Sequence, residues 1–315
     1  MQRCAMSSPR FALPDLRHSW AAAQHSSYLT RAATDHPWLR LAALIALSIV
    51  FMIVGVLGLG AVLSFSGYQV PDLSGALPDS PLRLNGEITF MAFLAASLML
   101  LAVAILFAAM IVYRRAGPEF LWPGRSFSPR LLLAGFGIMA AVSVVLLGVN
   151  LLFEPAPMPA PILNPAYLLE TRLAYAGWAV VLLLIAALAE EIVFRAVLLK
   201  VTAGLTRKLW LICVLNAVLF SAIHLDPDPT AFVARALSGF VWTWAALRLG
   251  GIEFAVGAHL ANNLLIAWLI EPMSSAAMPG QAIPPIYLVF EVVTAVAVLA
   301  AVEWMARRKP QQTRR

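Results

Sequence analysis

The chain has 315 residues, 61% of them apolar and only 12% charged, far from the roughly half apolar and one-quarter charged make-up of soluble domains. Its formal net charge of +6 does not indicate nucleic acid, because the Lys and Arg residues lie in short loops and tails and form no basic patch interleaved with aromatics. The two cysteines, Cys4 and Cys213, exclude a disulfide framework and a paired-cysteine metal site.

Residues 1–40 hold five Arg among Ser, Ala and Pro and lack the apolar stretch of a cleavable signal. They are expected to form a disordered cytoplasmic tail. About 20 consecutive apolar residues cross a bilayer core, and residues 41 to 65, 88 to 113 and 131 to 153 meet that length cleanly. Further apolar segments recur at 173 to 202, 209 to 225, 232 to 249, 252 to 270 and 286 to 305. The connections, EPAPMPAPILNP and DPDP among them, carry the Pro and charge of turns. The chain is thus predicted to be all-α, a polytopic transmembrane bundle of about eight spans. Three accessory spans occupy 41–172 and a helical core 173–270. A loop and final span follow over 271–305, then a basic tail over 306–315.

Lys and Arg in the successive non-membrane segments number 5, 1, 4, 1, 3, 0, 1, 0 and 5, or 18 on one side against 2 on the other. The positive-inside rule then places both termini in the cytoplasm of a multi-pass cell-membrane protein.

Ionisable residues inside spans are functional suspects, because a charge at the bilayer centre costs about 2.5–3.5 kcal/mol on insertion scales. The segment LLLIAALAEEIVFRAVLLK holds Glu190, Glu191 and Arg195. On a helix Arg195 lies about 40° from Glu191 and about 140° from Glu190, so the i, i+4 ion pair favours Glu191. Glu190 is left unpaired, suited to take a proton near neutral pH in an apolar setting. Carboxylates at a helix end in the headgroups are the bland alternative, but the apolar run AVLL continues past Arg195.

The next segment places Phe220 and His224 on one face. Glu190 and His224 stand at similar distances from the turn GLTRK, so an antiparallel helix pair puts them in one layer. In IEFAVGAHLANNLLIAWLI, His259 and Asn263 share a face, with Asn262 beside them. Packing alone uses His and Asn as polar glue, and for that pair taken singly both readings stay open. Together, a carboxylate and a histidine can activate a water, while a second histidine and an amide can donate to a developing oxyanion. Arg235 and Glu291 are further charges within spans and receive no role.

Three separated motifs now stand in order: EExxxR at Glu190, Glu191 and Arg195, FxxxH at Phe220 and His224, and HxxxN at His259 and Asn263. The pattern resembles the CPBP family of intramembrane proteases, also called the CAAX protease or Abi family, over roughly residues 173 to 270. The resemblance implies an intramembrane endopeptidase acting on a membrane-associated protein or peptide, CAAX-type processing included. Glu190 and His224 would activate water, His259 and Asn263 would line the oxyanion site, and Glu191, Arg195 and Phe220 would support them. Many members follow the arginine with glycine, where this chain has Ala196, a change that touches packing and no reactive group. Two histidines and carboxylates can also bind zinc through Glu190, His224 and His259; the metal-free form is favoured, with no cofactor. A non-catalytic membrane partner or immunity factor is the alternative, and a transporter ranks behind it.

Overall fold

The computed structural model describes residues 16–66, 83–153, 160–276 and 283–308, and every regular element among them is helical. The main helices are α1 (Leu16–Gln24), α2 (Pro37–Ser66), α3 (Arg83–Tyr113), α4 (Pro129–Phe153), α5 (Leu169–Glu191), α6 (Leu199–Leu205), α7 (Leu209–Ala222), α8 (Pro229–Leu249), α9 (Glu253–Leu265) and α10 (Tyr287–Arg308). Two π-helical turns, Ile192–Leu198 and Ile266–Ile270, continue α5 and α9.

Among the described residues six helices are long and apolar enough to cross a membrane: α2, α3, α4, α8, α9 with its π turn, and α10. The chain is an integral membrane protein of the helical polytopic class, and the expected eight spans are not the count found: six stand among the described residues. One missing member, α7, has only 14 residues, about 21 Å of helix against a hydrocarbon core of about 30 Å. The other is a segmented rod. Its α-helical part, α5, is continued by a π turn and by α6.

Position in the bundle follows from side-chain pattern. Helix α2 is apolar all round, buries Leu44 alone among its 30 residues, and leaves Leu57, Val62 and Phe65 exposed, as a lipid-facing helix must. Helix α9 is the opposite case: every residue from Glu253 to Ala261 is buried, and α4, α5 and α8 pack against it. Its crossing with α4 depends on two glycines. A Cβ on Gly257 would lie 2.0 Å from the Leu132 carbonyl oxygen, and one on Gly135 would lie 2.0 Å from that of Phe254. Small residues are what allow two membrane helices to approach backbone to backbone.

Ionic clamps tie the ends of these helices. Glu253, at the start of α9, takes two bonds from Arg125 (2.6 and 2.5 Å) and one from the Ser128 amide (2.8 Å). Glu303 on α10 accepts from Arg248 (2.7 and 2.9 Å), from Trp244 Nε1 (2.9 Å) and from Ser19 (2.5 Å). Multiple hydrogen bonds are what make such buried carboxylates tolerable.

Ser19 belongs to the region expected to be a disordered tail, and that expectation is corrected from residue 16 onward; residues 1–15 lie outside the described residues. Helix α1 packs on α8, its Trp20 meets Trp244 with ring centroids 5.9 Å apart, and Tyr28 is buried with its hydroxyl donating to the Leu121 carbonyl at 2.7 Å. Burial of these small and aromatic side chains compensates for an Arg-rich composition. Of the basic tail expected over 306–315, residues 309–315 likewise lie outside the described residues.

Candidate active site

The candidate site forms where α5 gives way to its π turn and faces α7, α8 and α9. A π turn is wider than an α turn and recurs at functional positions. Arg195, inside it, still reaches back one turn to Glu191, with Nη1 to Oε1 at 3.1 Å and both residues fully buried. The same Glu191 oxygen accepts from His259 Nδ1 at 2.9 Å. A carboxylate only accepts, so this bond places a proton on Nδ1 and turns Nε2 the other way. Nε2 lies 4.0 Å from Glu190 Oε1, too far for a direct hydrogen bond and suited to a bridging water.

Aromatic rings fix the remaining faces of these groups. The Arg195 guanidinium lies 4.2 Å from the Phe220 ring centroid and 5.2 Å from that of Trp242, within cation–π range. Its Nη2 donates to the Gly239 carbonyl at 3.4 Å. Trp242 stacks on His259 at 4.5 Å with 28° between the planes, and Phe220 meets His259 edge-on at 6.0 Å. Glu191 Oε2 and Arg195 Nε are buried without a hydrogen-bond partner.

His224 follows α7 and is exposed. Its Nδ1 donates to the Phe220 carbonyl at 2.9 Å, which leaves Nε2 as the accepting nitrogen of the neutral ring. Its ring meets that of Phe220 edge-on, with centroids 5.3 Å apart. Arg235 is ion-paired with Asp226 at 2.8 Å. Asn263 stands one turn beyond His259 and accepts from Asn262 Nδ2 at 3.5 Å, so its own amide nitrogen remains a donor.

Glu191, Arg195, Phe220 and His259 thus meet directly, and Glu190 faces His259 across 4.0 Å. His224 joins through Phe220, whose ring centroid lies 5.3 Å from its own, and Asn263 through its place on α9. Trp242 was missed by sequence reasoning: it sits in an apolar span among other aromatics and no spacing marks it. Among the described residues no three His, Cys, Asp or Glu side chains gather as a metal-binding group.

A buried carboxylate hub inside a polytopic helical bundle defines a membrane protein with a polar site in its protein interior. Residues 172–265 match the family model of type II CAAX prenyl endopeptidases, Rce1-like, so the chain carries a domain of the CPBP family that its three motifs resemble. A curated relative is the uncharacterized protein YyaK of Bacillus subtilis (strain 168), 32% identical over 103 residues, which are 31% of this chain and 34% of YyaK. The chain therefore spans about a third of the length of the curated relative it matches. No solved structure matches it.

Proposed function

We propose that the chain is an intramembrane endopeptidase that hydrolyses a peptide bond of a membrane-associated protein or peptide, with the C-terminal peptide of a prenylated CAAX-type substrate as the first class to test. The observation that carries this reading is the hub at Glu191, which bonds Arg195 and His259 through one oxygen and leaves His259 Nε2 facing Glu190 across 4.0 Å.

Charge accounting supports the assignment of roles. Two carboxylates and one guanidinium sum to −1, and a proton on His259 Nε2 brings the cluster to neutrality, the favoured state in a low dielectric, while Glu190 stays ionised as the base. Glu190 accepts a proton from the attacking water, with His224 Nε2 as a second acceptor, and the water oxygen bonds to the scissile carbonyl carbon. The carbonyl oxygen, now negative, is held by His259 Nε2–H and by the Asn263 amide. When the carbon–nitrogen bond breaks, Glu190 returns the proton to the leaving amine. Glu191, Arg195 and Phe220 hold His259 in place and touch no reacting atom.

The test is proteomic profiling of membranes from cells carrying the wild-type chain or Glu190→Gln, followed by cleavage assays on the peptides that differ. Cleavage abolished in the variant and retained after chelation supports a metal-free glutamate mechanism. Cleavage that persists in Glu190→Gln would refute it and favour a non-catalytic partner role, while stoichiometric zinc with activity lost on chelation would replace the mechanism.

A further inference from the structure

At the end of the molecule where α8 finishes and α9 begins, a cavity of about 250 Å³ opens between α1, the turn at residues 123–125 and the α8 C-terminus. It shares no residue with the glutamate cluster. Its wall includes His25, Ser26, Ser27, Arg125, Arg248 and Gly250, a set rich in donors and poor in apolar surface. Ser26 is only 7% exposed, yet its Oγ has no hydrogen-bond partner. A buried hydroxyl left unmet is unfavourable, and a bound acceptor relieves it.

The charges around the cavity can be counted. Arg125 is engaged by Glu253, Ser126 and the Leu249 carbonyl. Arg248 gives Nε and Nη2 to Glu303, so its Nη1 protons remain for a ligand. Arg31 is a third cation here, its Nη2 lying 3.3 Å from where a Cβ on Gly124 would be. Three guanidiniums against the two carboxylates Glu253 and Glu303 leave an excess positive charge even with His25 neutral.

Depth narrows the source of an anion. The cavity abuts Leu249, the last residue of crossing helix α8. Nearby are the Trp20–Trp244 pair and Trp304, over which Arg308 lies at 3.9 Å. Trp and Arg of this kind mark the membrane–water boundary, where basic pockets take anionic lipid headgroups. We infer that this cavity is a phosphate-binding site, matched to the headgroup of an anionic phospholipid.

The test uses the full chain in nanodiscs of phosphatidylcholine with and without phosphatidylglycerol, with retained lipid read by native mass spectrometry. Wild type is expected to retain phosphatidylglycerol over phosphatidylcholine. Ser27→Glu, which sets a carboxylate in the wall at the start of a short helical turn, is expected to lower that preference about tenfold, equivalent to about 1.4 kcal/mol. Ser27→Gln should stay near wild type. Inorganic phosphate added to phosphatidylcholine discs is the second probe. A rise in thermal midpoint in wild type and not in Ser27→Glu would assign the same anion site to a soluble phosphate. Retention of phosphatidylglycerol without that rise assigns it to lipid. Absence of both responses, or equal behaviour of wild type and Ser27→Glu toward both probes, overturns the inference. Should Ser27→Glu fail to fold, Ser26→Ala, which removes only the unmet hydroxyl, replaces it in the same comparison.

Discussion

His259 donates from Nδ1 to Glu191 across 2.9 Å, joining α9 to α5 between positions 68 residues apart. The accepting oxygen also holds Arg195, so one carboxylate organises two cationic or protonatable groups in the interior of the bundle. Replacing it with alanine strands a fully buried guanidinium, and breaking a buried pair in this way typically costs about 3–5 kcal/mol. Glu191→Ala is expected to lower the thermal midpoint of purified protein sharply, and Glu191→Gln less. In a double-mutant cycle with His259→Gln the effects should be non-additive by about 0.5–3 kcal/mol. Strict additivity would mean that the bond carries no energy.

Glu190 is half-buried and its nearest ionic partner is His259 Nε2 at 4.0 Å. Glu190→Gln preserves shape and removes only the proton acceptor. Cleavage should fall by about 10²–10⁴, the range attributed to general base catalysis, with the midpoint unchanged. A fall in activity that tracked a fall in stability would reassign Glu190 to a structural role.

Trp242 covers one face of the His259 ring and touches no group assigned to the reaction beyond it. Trp242→Phe retains an aromatic plane and is expected to keep most activity. Trp242→Ala frees the imidazole to rotate, and kcat should drop with KM nearly constant, because the loss falls on groups that act in the transition state. Equal kinetics for Phe and Ala would remove Trp242 from the positioning of His259.

The three motifs were readable because each is short and local: an i, i+4 pair on one helix can be found by counting. Arg195 does pair with Glu191, as the helical wheel requires, even though the π turn there departs from the assumed 100° per residue. What joins one helix to another leaves no period in the sequence. The bond from His259 to Glu191, the stacking of Trp242 and the Arg125–Glu253 clamp all connect residues far apart in the chain. The span count failed for a related reason. Hydropathy registers that 209 to 225 is apolar, but the helix formed there stops at Ala222, and a short apolar helix buried against α8 reads the same as a short membrane crossing.

Glu271 lies just beyond the π turn that ends the α9 span. Burial raises its carboxyl pKa above the ordinary 4.5, with Arg83 opposing the shift. Well below 4.5 the group is neutral in both folded and unfolded chains and has no effect. As pH rises from there, the unfolded chain ionises first and binds fewer protons than the native state, so stability declines until the folded group has also ionised. Glu271→Gln removes this slope. Midpoints of wild type and variant should coincide in acid and diverge toward neutrality, with the variant higher; curves that stay parallel across the range would show that burial of Glu271 has no energetic weight.

Gly257 and Gly58 offer a contrast within one chemistry, since both are helical and both can be changed to alanine. At Gly257 the added methyl would meet the Leu132 carbonyl oxygen at 2.0 Å and the Phe136 amide nitrogen at 2.8 Å, both main-chain atoms that cannot rotate away. At Gly58 nothing lies within 4 Å. Gly257→Ala must therefore push α9 away from α4, at about 1–3 kcal/mol or more for overpacking. It should also cost activity, because His259 and Asn263 move with α9. Gly58→Ala, which restricts the unfolded chain without a clash, should be neutral or stabilising by about 0.4–1 kcal/mol. The two variants, compared by folded yield and thermal midpoint, separate the α4–α9 crossing from a general intolerance of membrane glycines. Similar behaviour of both would mean that the close approach at Gly257 does not hold in the protein.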